Sequence, residues 1–370
     1  MLIINAMVIL LTHEYPPFYG GVSTYCYEVA EAAHRLQLPL HVWTAGTAQP
    51  KDPSYVVRLN CGTKLHPWHI IQMAHAVWKQ RNFLKGKMLI LCSYGAHLAL
   101  NLLAGFGLLP ECHILSLIHG SEVGRFEKNV FRKFWSARLF KHVEKIFTPS
   151  QFTASLVKNS SLGKKFPEPT LASCAVGSWA AREVAEQSKP PQQDSRFRIL
   201  TLARIHPRKG QLETAKCLAL LPAELKAKII YQIGGRGSAS YLKEIESYCK
   251  AHDVAMEYLG AVSNERLAET YAGCDCYIQT SQTLPNSVEG FGISYLEAAW
   301  HGKPSISFRT GGVVEAIGEG GFIIEEGNLQ SVADSVVALV RDAALYQQLS
   351  EKAHAHARIF SWENTAHILC

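Results

Sequence analysis

Hydrophobic and polar positions along this chain form two kinds of segment. Short apolar runs alternate with amphipathic stretches of about ten or more residues. In the first half the apolar runs predict strands at Met7–Thr12, Leu40–Trp43, Met88–Cys92, His113–Ile118 and Lys145–Thr148. In the second half they predict strands at Phe197–Ala203, Lys228–Ile233, Met256–Leu259, Cys276–Gln279, Pro304–Phe308 and Gly321–Ile324. This alternation is typical of βαβ units and predicts an α/β protein with two parallel sheets.

A polar segment separates the two halves. Residues Ala185–Ser195 (AEQSKPPQQDS) contain two adjacent prolines and no hydrophobic period, as is typical of a linker. A chain of 370 residues also exceeds what one core usually holds. We therefore predict a first domain at residues 1–184, a linker at 185–195, a second domain at 196–360 and a final segment at 361–370. Two doubly wound lobes predict a ligand at the carboxyl ends of their strands, in the cleft that they face.

Composition excludes several classes of protein. With 48% hydrophobic and 18% charged residues and no repeat, the chain has the composition of an ordinary globular protein. The apolar start Met1–Leu11 lacks the features of a signal peptide and is too short to span a bilayer, so we expect a buried strand there. The ten cysteines show no CxxC pair and no spacing typical of metal ligands, which argues against a zinc site and suits a reducing cytoplasm.

Charge is distributed unevenly. Residues 1–178 hold 18 Lys/Arg against 9 Asp/Glu, whereas residues 179–370 hold 19 against 22. A basic half can serve anionic lipid, nucleic acid or an anionic substrate. The segment Arg125–Phe147, with seven Lys/Arg against two Glu, predicts a basic amphipathic helix that could lie on an anionic membrane. An ordinary solvated helix is an equal alternative, and no recognised motif supports a nucleic-acid partner.

Candidate chemistry in the first half follows two strands. Gly20-Gly21 come after the first strand and open a helix predicted at Val22–Leu36, where backbone N–H groups can approach an anion. A tight turn is the alternative. His119 follows the strand that ends at Ile118, although a lone histidine at a strand end is more often structural than catalytic.

The second half begins with a basic loop. Arg204, Arg208 and Lys209 place three cations within six residues directly after a strand. Arginine can grip phosphate oxygens bidentately and lysine adds a point charge, so this loop could hold a diphosphate and offset the charge of a departing nucleotide. A solvated basic turn is the alternative.

Two glutamates, Glu289 and Glu297, flank a glycine-rich loop that passes into a predicted helix. The N–H groups of Phe291, Gly292 and Ile293 would point at a phosphate or sugar oxygen. Glu289 could accept hydrogen bonds from sugar hydroxyls and Glu297 from ribose. The alternatives are a helix-start carboxylate and a surface residue, but unpaired carboxylates are costly in the apolar setting of Glu297.

The segment Gly235–Ser240 (GRGSAS) nearly matches the dinucleotide-binding fingerprint but lacks its third glycine. A base-contacting or structural loop is therefore favoured over NAD binding.

Taken together, Gly20-Gly21, Arg204 with Lys209, and the pair Glu289 and Glu297 resemble the nucleotide-sugar site of retaining glycosyltransferases of family 4. Gly311-Gly312 followed by Glu315 matches the later glycine pair of that family, and the resemblance covers nearly the whole chain. It implies the GT-B fold, in which two Rossmann-like lobes face a central cleft, with the acceptor on the first lobe and the nucleotide sugar on the second.

The resemblance also implies roles for individual residues. Arg204 and Lys209 would hold the diphosphate, while the amides of Gly21, Phe291, Gly292 and Ile293 would support phosphate and sugar. Glu289 would orient the transferred sugar and Glu297 would bind ribose. The backbone near Gly235 and Val262 would meet the base, and His119 would lie beside the sugar. The segment Phe360–Glu363 is similar to the family's C-terminal element, which returns to the first lobe, whereas Cys174–Gly177 departs from the family's usual sequence.

The implied reaction transfers a hexose from GDP-mannose or a UDP-hexose to a lipid-linked or glycan acceptor, with retention of configuration. Such enzymes act in cell-envelope or polysaccharide biosynthesis, so we expect a cytoplasmic protein with peripheral contact to anionic membrane. The co-substrate is the nucleotide sugar; no further cofactor and no metal are expected. Two alternatives stay open: a nucleotide-sugar epimerase or hydrolase on the same fold, and a non-catalytic nucleotide-binding or glycan-binding subunit.

Overall fold

The computed structural model describes residues 7–183, 196–284 and 287–370, which form two units, each built around its own parallel sheet. One unit comprises the chain up to Cys174 together with Ser361–Cys370, and the other comprises Ala175–Phe360. We predicted that the first domain ends at residue 184, but the first unit ends at Cys174. The difference arises because the segment after Cys174 binds the second unit. There the carbonyls of Ala180 and Ala181 accept hydrogen bonds from the rings of His301 and Trp300. The predicted linker at 185–195 lies within the undescribed stretch 184–195.

The first unit contains a seven-stranded parallel sheet. Its strands are β1 (Val8–Thr12), β2 (Leu40–Thr44), β3 (Val56–Arg58), β4 (Met88–Leu91), β5 (His113–Leu117), β6 (Val143–Thr148) and β7 (Thr170–Leu171). Their order is β3-β2-β1-β4-β5-β6-β7. The helices that connect them are α1 (Gly21–Arg35), α2 (Pro67–Lys79), α3 (Arg81–Leu84), α4 (Tyr94–Gly105), α5 (Ser121–Glu127), α6 (Val130–Phe140) and α7 (Gln151–Lys158). The five strands predicted for this half are confirmed.

The basic segment 125–147 is not one helix, and that prediction was wrong. Asn129 interrupts it, because its side-chain carbonyl accepts the N–H of Arg132 at 2.9 Å and so caps the start of α6. Asparagine at this position stabilises a new helix start. The segment then leaves the helical conformation altogether at Val143, where β6 carries Ile146 and Phe147 into the core.

The second unit contains a six-stranded parallel sheet. Its strands are β8 (Phe197–Leu202), β9 (Ile229–Gly234), β10 (Met256–Gly260), β11 (Cys276–Ile278), β12 (Ser305–Phe308) and β13 (Gly321–Ile324). Their order is β10-β9-β8-β11-β12-β13, and all six were predicted. The helices are α8 (Gln211–Ala219), α9 (Ala223–Lys226), α10 (Ala239–Ala251), α11 (Leu267–Ala272), α12 (Ile293–Trp300), α13 (Val313–Ile317), α14 (Leu329–Arg341) and α15 (Ala343–Ala357). A 3₁₀ turn spans Pro207–Lys209.

Both sheets reverse their strand order once, between β1 and β4 in the first unit and between β8 and β11 in the second. Ligands of open parallel sheets bind at the carboxyl ends of the strands beside such a reversal. The predicted doubly wound architecture is therefore confirmed for each unit. On this rule, ligand-binding residues are expected in the loops after β8, β11 and β12 of the second unit and after β1, β4 and β5 of the first.

The last helix, α16 (Trp362–Leu369), belongs to the first unit. It packs on α1, where the ring of Trp362 meets the edge of Tyr25 with centroids 5.3 Å apart. The Thr365 hydroxyl donates to the carbonyl of Ser173 at 2.6 Å. The end of the chain thus completes the core of the unit in which the chain begins.

Candidate functional site

A buried ion-pair cluster lies at the carboxyl ends of the second unit's strands. One carboxylate oxygen of Glu289 accepts a hydrogen bond from the ammonium of Lys209 at 2.6 Å and from the guanidinium of Arg208 at 3.0 Å. The side chains of these three residues are only 13%, 16% and 11% exposed, in that order. The hydroxyl of Ser281 donates to the same oxygen at 3.4 Å. Two cations therefore share one carboxylate.

The protonation states follow from this arrangement. Burial alone would raise the pKa of Glu289, but the charges and hydrogen bonds of Lys209 and Arg208 lower it to about 2. Burial lowers the pKa of Lys209, and the charge of Glu289 opposes that shift. Glu289 is therefore a carboxylate at neutral pH and can accept hydrogen bonds but not donate them. With two cations against one anion, the cluster retains a net positive charge that favours an anionic ligand.

The loop after β8 is folded so that Arg208 and Lys209 point at Glu289. His206 caps the 3₁₀ turn, since its Nδ1 accepts the N–H of Arg208 at 3.1 Å. Burial, assisted by the charges of Arg204, Arg208 and Lys209, lowers the pKa of His206, which keeps this nitrogen available as an acceptor. Gly210 ends the turn with φ of 71°, and a Cβ there would lie 1.9 Å from the carbonyl oxygen of Thr280. Only glycine permits this approach.

The loop that carries Glu289 is held from the other side by the glycine pair Gly311-Gly312. The N–H of Gly312 donates to the carbonyl of Glu289 at 2.9 Å. A Cβ on Gly311 would lie 2.0 Å from that same carbonyl oxygen, and one on Gly312 would lie 2.3 Å from the carbonyl oxygen of Gly290. Close packing of two backbones therefore fixes the position of Glu289.

We expect Gly311→Ala to destabilise the protein by about 2–4 kcal/mol, because Gly311 combines a positive φ of 62° with contact against backbone. Gly327→Ala is the matched control: φ there is 87°, but no heavy atom lies within 4 Å of the added Cβ. Its cost should be the backbone strain alone, about 1 kcal/mol. Urea unfolding of both variants measures the difference. Equal destabilisation would show that the contact with Glu289 is unimportant.

Helix α12 begins at the end of the same loop. Gly292 precedes it with φ of 105°, a conformation that glycine adopts readily. Among the described residues, none offers a hydrogen-bond acceptor to the N–H groups of Phe291, Gly292 and Ile293. Unsatisfied amides at a helix N-terminus attract phosphate or other anions. Over the described part of the chain, the three amides that the sequence singled out thus have no acceptor.

Glu297 lies on α12 and is also held in place. The hydroxyl of Tyr271 donates to its carboxylate at 2.7 Å. Burial first, and the charge of Glu297 second, raise the pKa of Tyr271 far above its usual value. Tyr271 therefore stays protonated and fixes the carboxylate of Glu297.

The loop after β9 contains Gly235, which packs against the loop after β8. A Cβ there would lie 2.0 Å from the carbonyl oxygen of Ala203. The N–H of Gly235 donates to Gly260 at 2.8 Å, and its carbonyl accepts the hydroxyl of Tyr258 at 2.7 Å. Val262 is half-buried beside Gly234 in the same region.

In the first unit, His119 follows β5. The ring Nε2 of His119 lies 3.1 Å from the carbonyl of Cys92, and its backbone N–H donates to the carboxylate of Glu122 at 3.2 Å. Burial lowers the pKa of His119, so the ring is neutral at pH 7. Because a carbonyl can only accept, Nε2 carries the proton and Nδ1 carries a lone pair. Gly21, the first residue of α1, is exposed and has open space where a side chain would be.

Two family models match the chain. One, described as "Glycosyl transferases group 1", matches residues 183–356, and the other, "Glycosyltransferase Family 4", matches residues 19–162. The chain belongs to glycosyltransferase family 4. It is thus a glycosyltransferase of a retaining, nucleotide-sugar-dependent family.

Curated relatives of this glycosyltransferase include two kinds of mannosyltransferase. The GDP-mannose-dependent alpha-(1-6)-phosphatidylinositol monomannoside mannosyltransferase of Mycobacterium tuberculosis is 25% identical over 352 residues, which cover 90% of this chain and 89% of the relative. The serotype-specific mannosyltransferase WbdA of Escherichia coli is 26% identical over 276 residues, which cover 70% of this chain and 32% of WbdA.

Solved structures show the fold. Sucrose-phosphate synthase from Thermosynechococcus elongatus matches with a TM-score of 0.78 at 16% identity, over 98% of this chain and 97% of that one. Anabaena Alr3699/HepE, solved in complex with UDP and glucose, matches with a TM-score of 0.77 at 15% identity, over 98% of both chains. The glycosyltransferase therefore has the GT-B fold, as the resemblance implied.

The structure brings together some of the predicted site residues and not others. Glu289 contacts Lys209 and also Arg208, whereas the exposed Arg204 has no contact with Glu289. Arg208 is one of the three cations predicted in this loop, but the sequence predicted no separate role for it. Which two of the three neighbouring cations contact the carboxylate depends on the 3₁₀ turn. The roles of Arg204, Glu297, Gly235, Val262 and His119 stay predictions.

The structure describes residues 7–183, 196–284 and 287–370 of this glycosyltransferase. Within them, no three His, Cys, Asp or Glu side chains come together as a metal site would require. The same residues contain no helix that is long and apolar enough to cross a membrane.

Two histidines buried in the first unit, His13 and His97, were not predicted from the sequence. His13 Nδ1 lies 2.8 Å from the hydroxyl of Ser93, and His97 Nε2 lies 2.7 Å from the hydroxyl of Ser116. Burial lowers the pKa of each to about 4. Nothing in the local sequence marks either position, because their burial results from the packing of α4 against the sheet.

The depressed pKa of His97 makes stability depend on pH. The unfolded chain binds a proton near pH 6.5 and the folded protein only near pH 4, so His97 contributes stability that is complete above pH 6.5 and is lost as the pH falls towards 4. The shift corresponds to about 3 kcal/mol. We expect His97→Gln to flatten the fall in unfolding free energy between pH 6.5 and 4, and the exposed control His75→Gln to preserve it. Parallel pH profiles for wild type and His97→Gln would contradict the assignment.

Proposed function

We propose that this glycosyltransferase transfers a hexose from a nucleotide-diphosphate sugar to a lipid-linked or glycan acceptor, with retention of configuration and without a metal ion. The observation that carries the proposal is the buried cluster of Lys209, Arg208 and Glu289 at the carboxyl ends of the strands. The cluster supplies fixed positive charge and a carboxylate that is ionised at neutral pH. The amides at the start of α12 add hydrogen-bond donors.

The cations and amides suit a diphosphate leaving group. As the bond between the sugar carbon and the phosphate oxygen breaks, negative charge develops on the phosphate. Lys209 and Arg208 are already oriented by Glu289, so they can stabilise that charge without reorganising. The N–H groups of Phe291, Gly292 and Ile293 add hydrogen-bond donors with the positive end of the helix dipole. In other transferases a metal ion supplies this charge.

Glu289 is proposed to position the sugar and not to transfer a proton. With a pKa of about 2 it has no proton to give at neutral pH, and it is too weak a base to take one efficiently. The acceptor hydroxyl attacks the anomeric carbon on the face from which the phosphate leaves. Its proton passes to the departing phosphate oxygen, which leaves the carboxylate free to accept hydrogen bonds from sugar hydroxyls. His119 stays a proposed sugar contact, Glu297 a proposed ribose ligand, and Arg204 a proposed further cation for the diphosphate.

The donor is proposed to be GDP-mannose, with a UDP-hexose as the second choice. The curated relatives from Mycobacterium tuberculosis and Escherichia coli are named as mannosyltransferases, and the former name specifies GDP-mannose. The complex of Anabaena Alr3699/HepE with UDP and glucose supports the second choice. The former relative is named for a lipid acceptor, which fits the basic first half of this chain. A role in cell-envelope or polysaccharide biosynthesis follows, at the cytoplasmic face of a membrane with which the protein makes peripheral contact.

A thermal-shift screen tests the proposal. The purified protein is heated with UDP, GDP, ADP, CMP, NAD or NADP, each with and without magnesium, since a ligand of the native state raises Tm. We expect GDP or UDP to raise Tm to the same extent with and without magnesium. A shift with NAD or NADP alone would overturn the proposal, as would a shift that requires magnesium.

A further inference from the structure

The first unit contains a cavity of about 310 Å³ between α4, α5 and α6. Its walls are mainly apolar and include Tyr94, Leu98, Phe126 and Trp135. This volume is about twice that of a protein cavity that holds one benzene molecule, so a hydrocarbon segment of on the order of ten carbon atoms fits. The cavity lies within the first unit, whereas the cluster around Glu289 belongs to the second.

The outer face of α6 continues the apolar surface beyond the cavity. Val130, Phe131 and Phe134 are 86%, 70% and 62% exposed, and Phe131 also lines the cavity. Leu65, which lines the cavity as well, is 48% exposed. Contiguous exposed aromatic and aliphatic side chains mark a surface that binds an apolar partner.

Two arginines line the same cavity. Arg132 is exposed, and Arg125 lies with its guanidinium 5.1 Å from the ring centroid of Tyr94. Over the described part of the chain, neither arginine has an acidic side chain within ion-pair distance. Unpaired guanidinium groups beside an apolar cavity are complementary to an anionic head group, and arginine binds phosphate bidentately.

We propose that this cavity binds the hydrocarbon chain of a lipid phosphate, with Arg125 and Arg132 on its phosphate, and that such an amphiphile is the acceptor in the proposed transfer. The acceptor assignment rests on the proposed function, but the binding site does not. A hydrocarbon chain without a phosphate would leave the arginines without a ligand, and a free phosphate would leave the cavity unfilled. Only a ligand that carries both groups uses both features.

Calorimetric titration of the full chain without nucleotide tests the site. The probe is dodecyl phosphate below its micelle-forming concentration. Inorganic phosphate provides the head group alone, and dodecyl maltoside provides the same chain with an uncharged head. We expect dodecyl phosphate to bind about tenfold more tightly than dodecyl maltoside and at least about a hundredfold more tightly than inorganic phosphate. Equal affinity for the two dodecyl compounds, or for the two phosphates, would overturn the proposal.

Three variants locate the binding. Leu98→Trp fills the cavity from a half-buried position and should weaken dodecyl phosphate binding by about tenfold or more. Arg132→Gln removes one exposed charge and should weaken it about fivefold. Lys133→Gln makes the same change in charge at the next residue of α6, which does not line the cavity, and should have no effect. If Leu98→Trp binds as wild type does, or if Lys133→Gln and Arg132→Gln weaken binding equally, the proposal fails.

The same preparation is titrated with GDP and UDP, so that the two proposals fail separately. Nucleotide binding without dodecyl phosphate binding would overturn the lipid site and leave the transferase intact. Binding of dodecyl phosphate without either nucleotide would support the site and overturn the proposed transfer, together with the acceptor role.

Discussion

Replacing Lys209 by alanine is expected to lower the rate of nucleoside diphosphate release from the donor about a thousandfold. The side chain of Lys209 is only 16% exposed, and its ammonium lies 2.6 Å from Glu289 and is proposed to face the charge that develops on the leaving phosphate. Loss of one pre-oriented electrostatic group in a transition state costs about a hundredfold to a thousandfold in rate. Here the variant also frees Glu289 from one of its two cations. Initial rates with GDP-mannose and with UDP-glucose measure the effect.

The control for this variant is Lys216→Ala. Lys216 lies on the following helix, α8, is 37% exposed and pairs with Glu213 of its own helix. The same change in charge there should leave the rate unchanged, because surface pairs contribute little. Breaking the buried pair in Lys209→Ala should also lower the unfolding free energy by about 1–3 kcal/mol, since Arg208 still compensates Glu289. A Lys209→Ala protein that is folded and within about tenfold of the wild-type rate would contradict the assignment.

Glu289→Gln should lower the rate about a hundredfold or more, although glutamine has nearly the same shape and can still accept hydrogen bonds. The variant leaves Lys209 and Arg208 close together without a counter-charge. The charge of Glu289 raises the pKa of Lys209, so its loss lets that pKa fall further. The two cations would then repel each other and would not be well oriented when the phosphate leaves. Rates for Glu289→Gln and for the exposed control Glu325→Gln, which breaks the surface pair with Arg309, separate this effect from general loss of charge.

Glu289→Gln should also remove a pH-dependent contribution to the unfolding free energy. The pKa of Glu289 is about 2 in the folded protein against 4.5 ordinarily, so its ionised form contributes stability that is present above pH 4.5 and is lost as the pH falls through about 2. The shift corresponds to about 3 kcal/mol at neutral pH, and about half of that should remain at pH 3. Urea unfolding of wild type and Glu289→Gln at both pH values measures it. A difference that does not shrink at pH 3 would show that Glu289 is not stabilised as a carboxylate.

The hydrophobic pattern predicted all the central strands, because a strand of a parallel sheet is buried on both faces and its sequence is continuously apolar. It missed the edge strands β3 and β7, which have only three and two residues and are partly exposed. The segment 125–147 was mistaken for one helix, since charge and aromatic content do not reveal that Asn129 starts a new helix. Its last residues belong to β6, which the apolar run Lys145–Thr148 had predicted separately.

The sequence predicted two members of the Glu289 cluster but not all of its contacts. Glu289 and Lys209 were identified from the residue types that a diphosphate sugar needs, and the structure brings them into contact. The partnership of Arg208 with Glu289, and the exposure of Arg204, depend on how three residues turn after β8. The burial of His13 and His97 depends on residues distant in sequence. The spacing of residues in the sequence reveals neither the conformation of that turn nor such distant contacts.

Calorimetric titration of GDP and UDP into the purified protein in EDTA, repeated with Lys209→Ala, tests most directly whether the buried cluster is a metal-independent diphosphate site. We predict that one of the two nucleotides binds wild type without metal and that Lys209→Ala weakens this binding by about tenfold or more. Binding that disappears in EDTA, or that has the same affinity in wild type and Lys209→Ala, would contradict the assignment of the cluster.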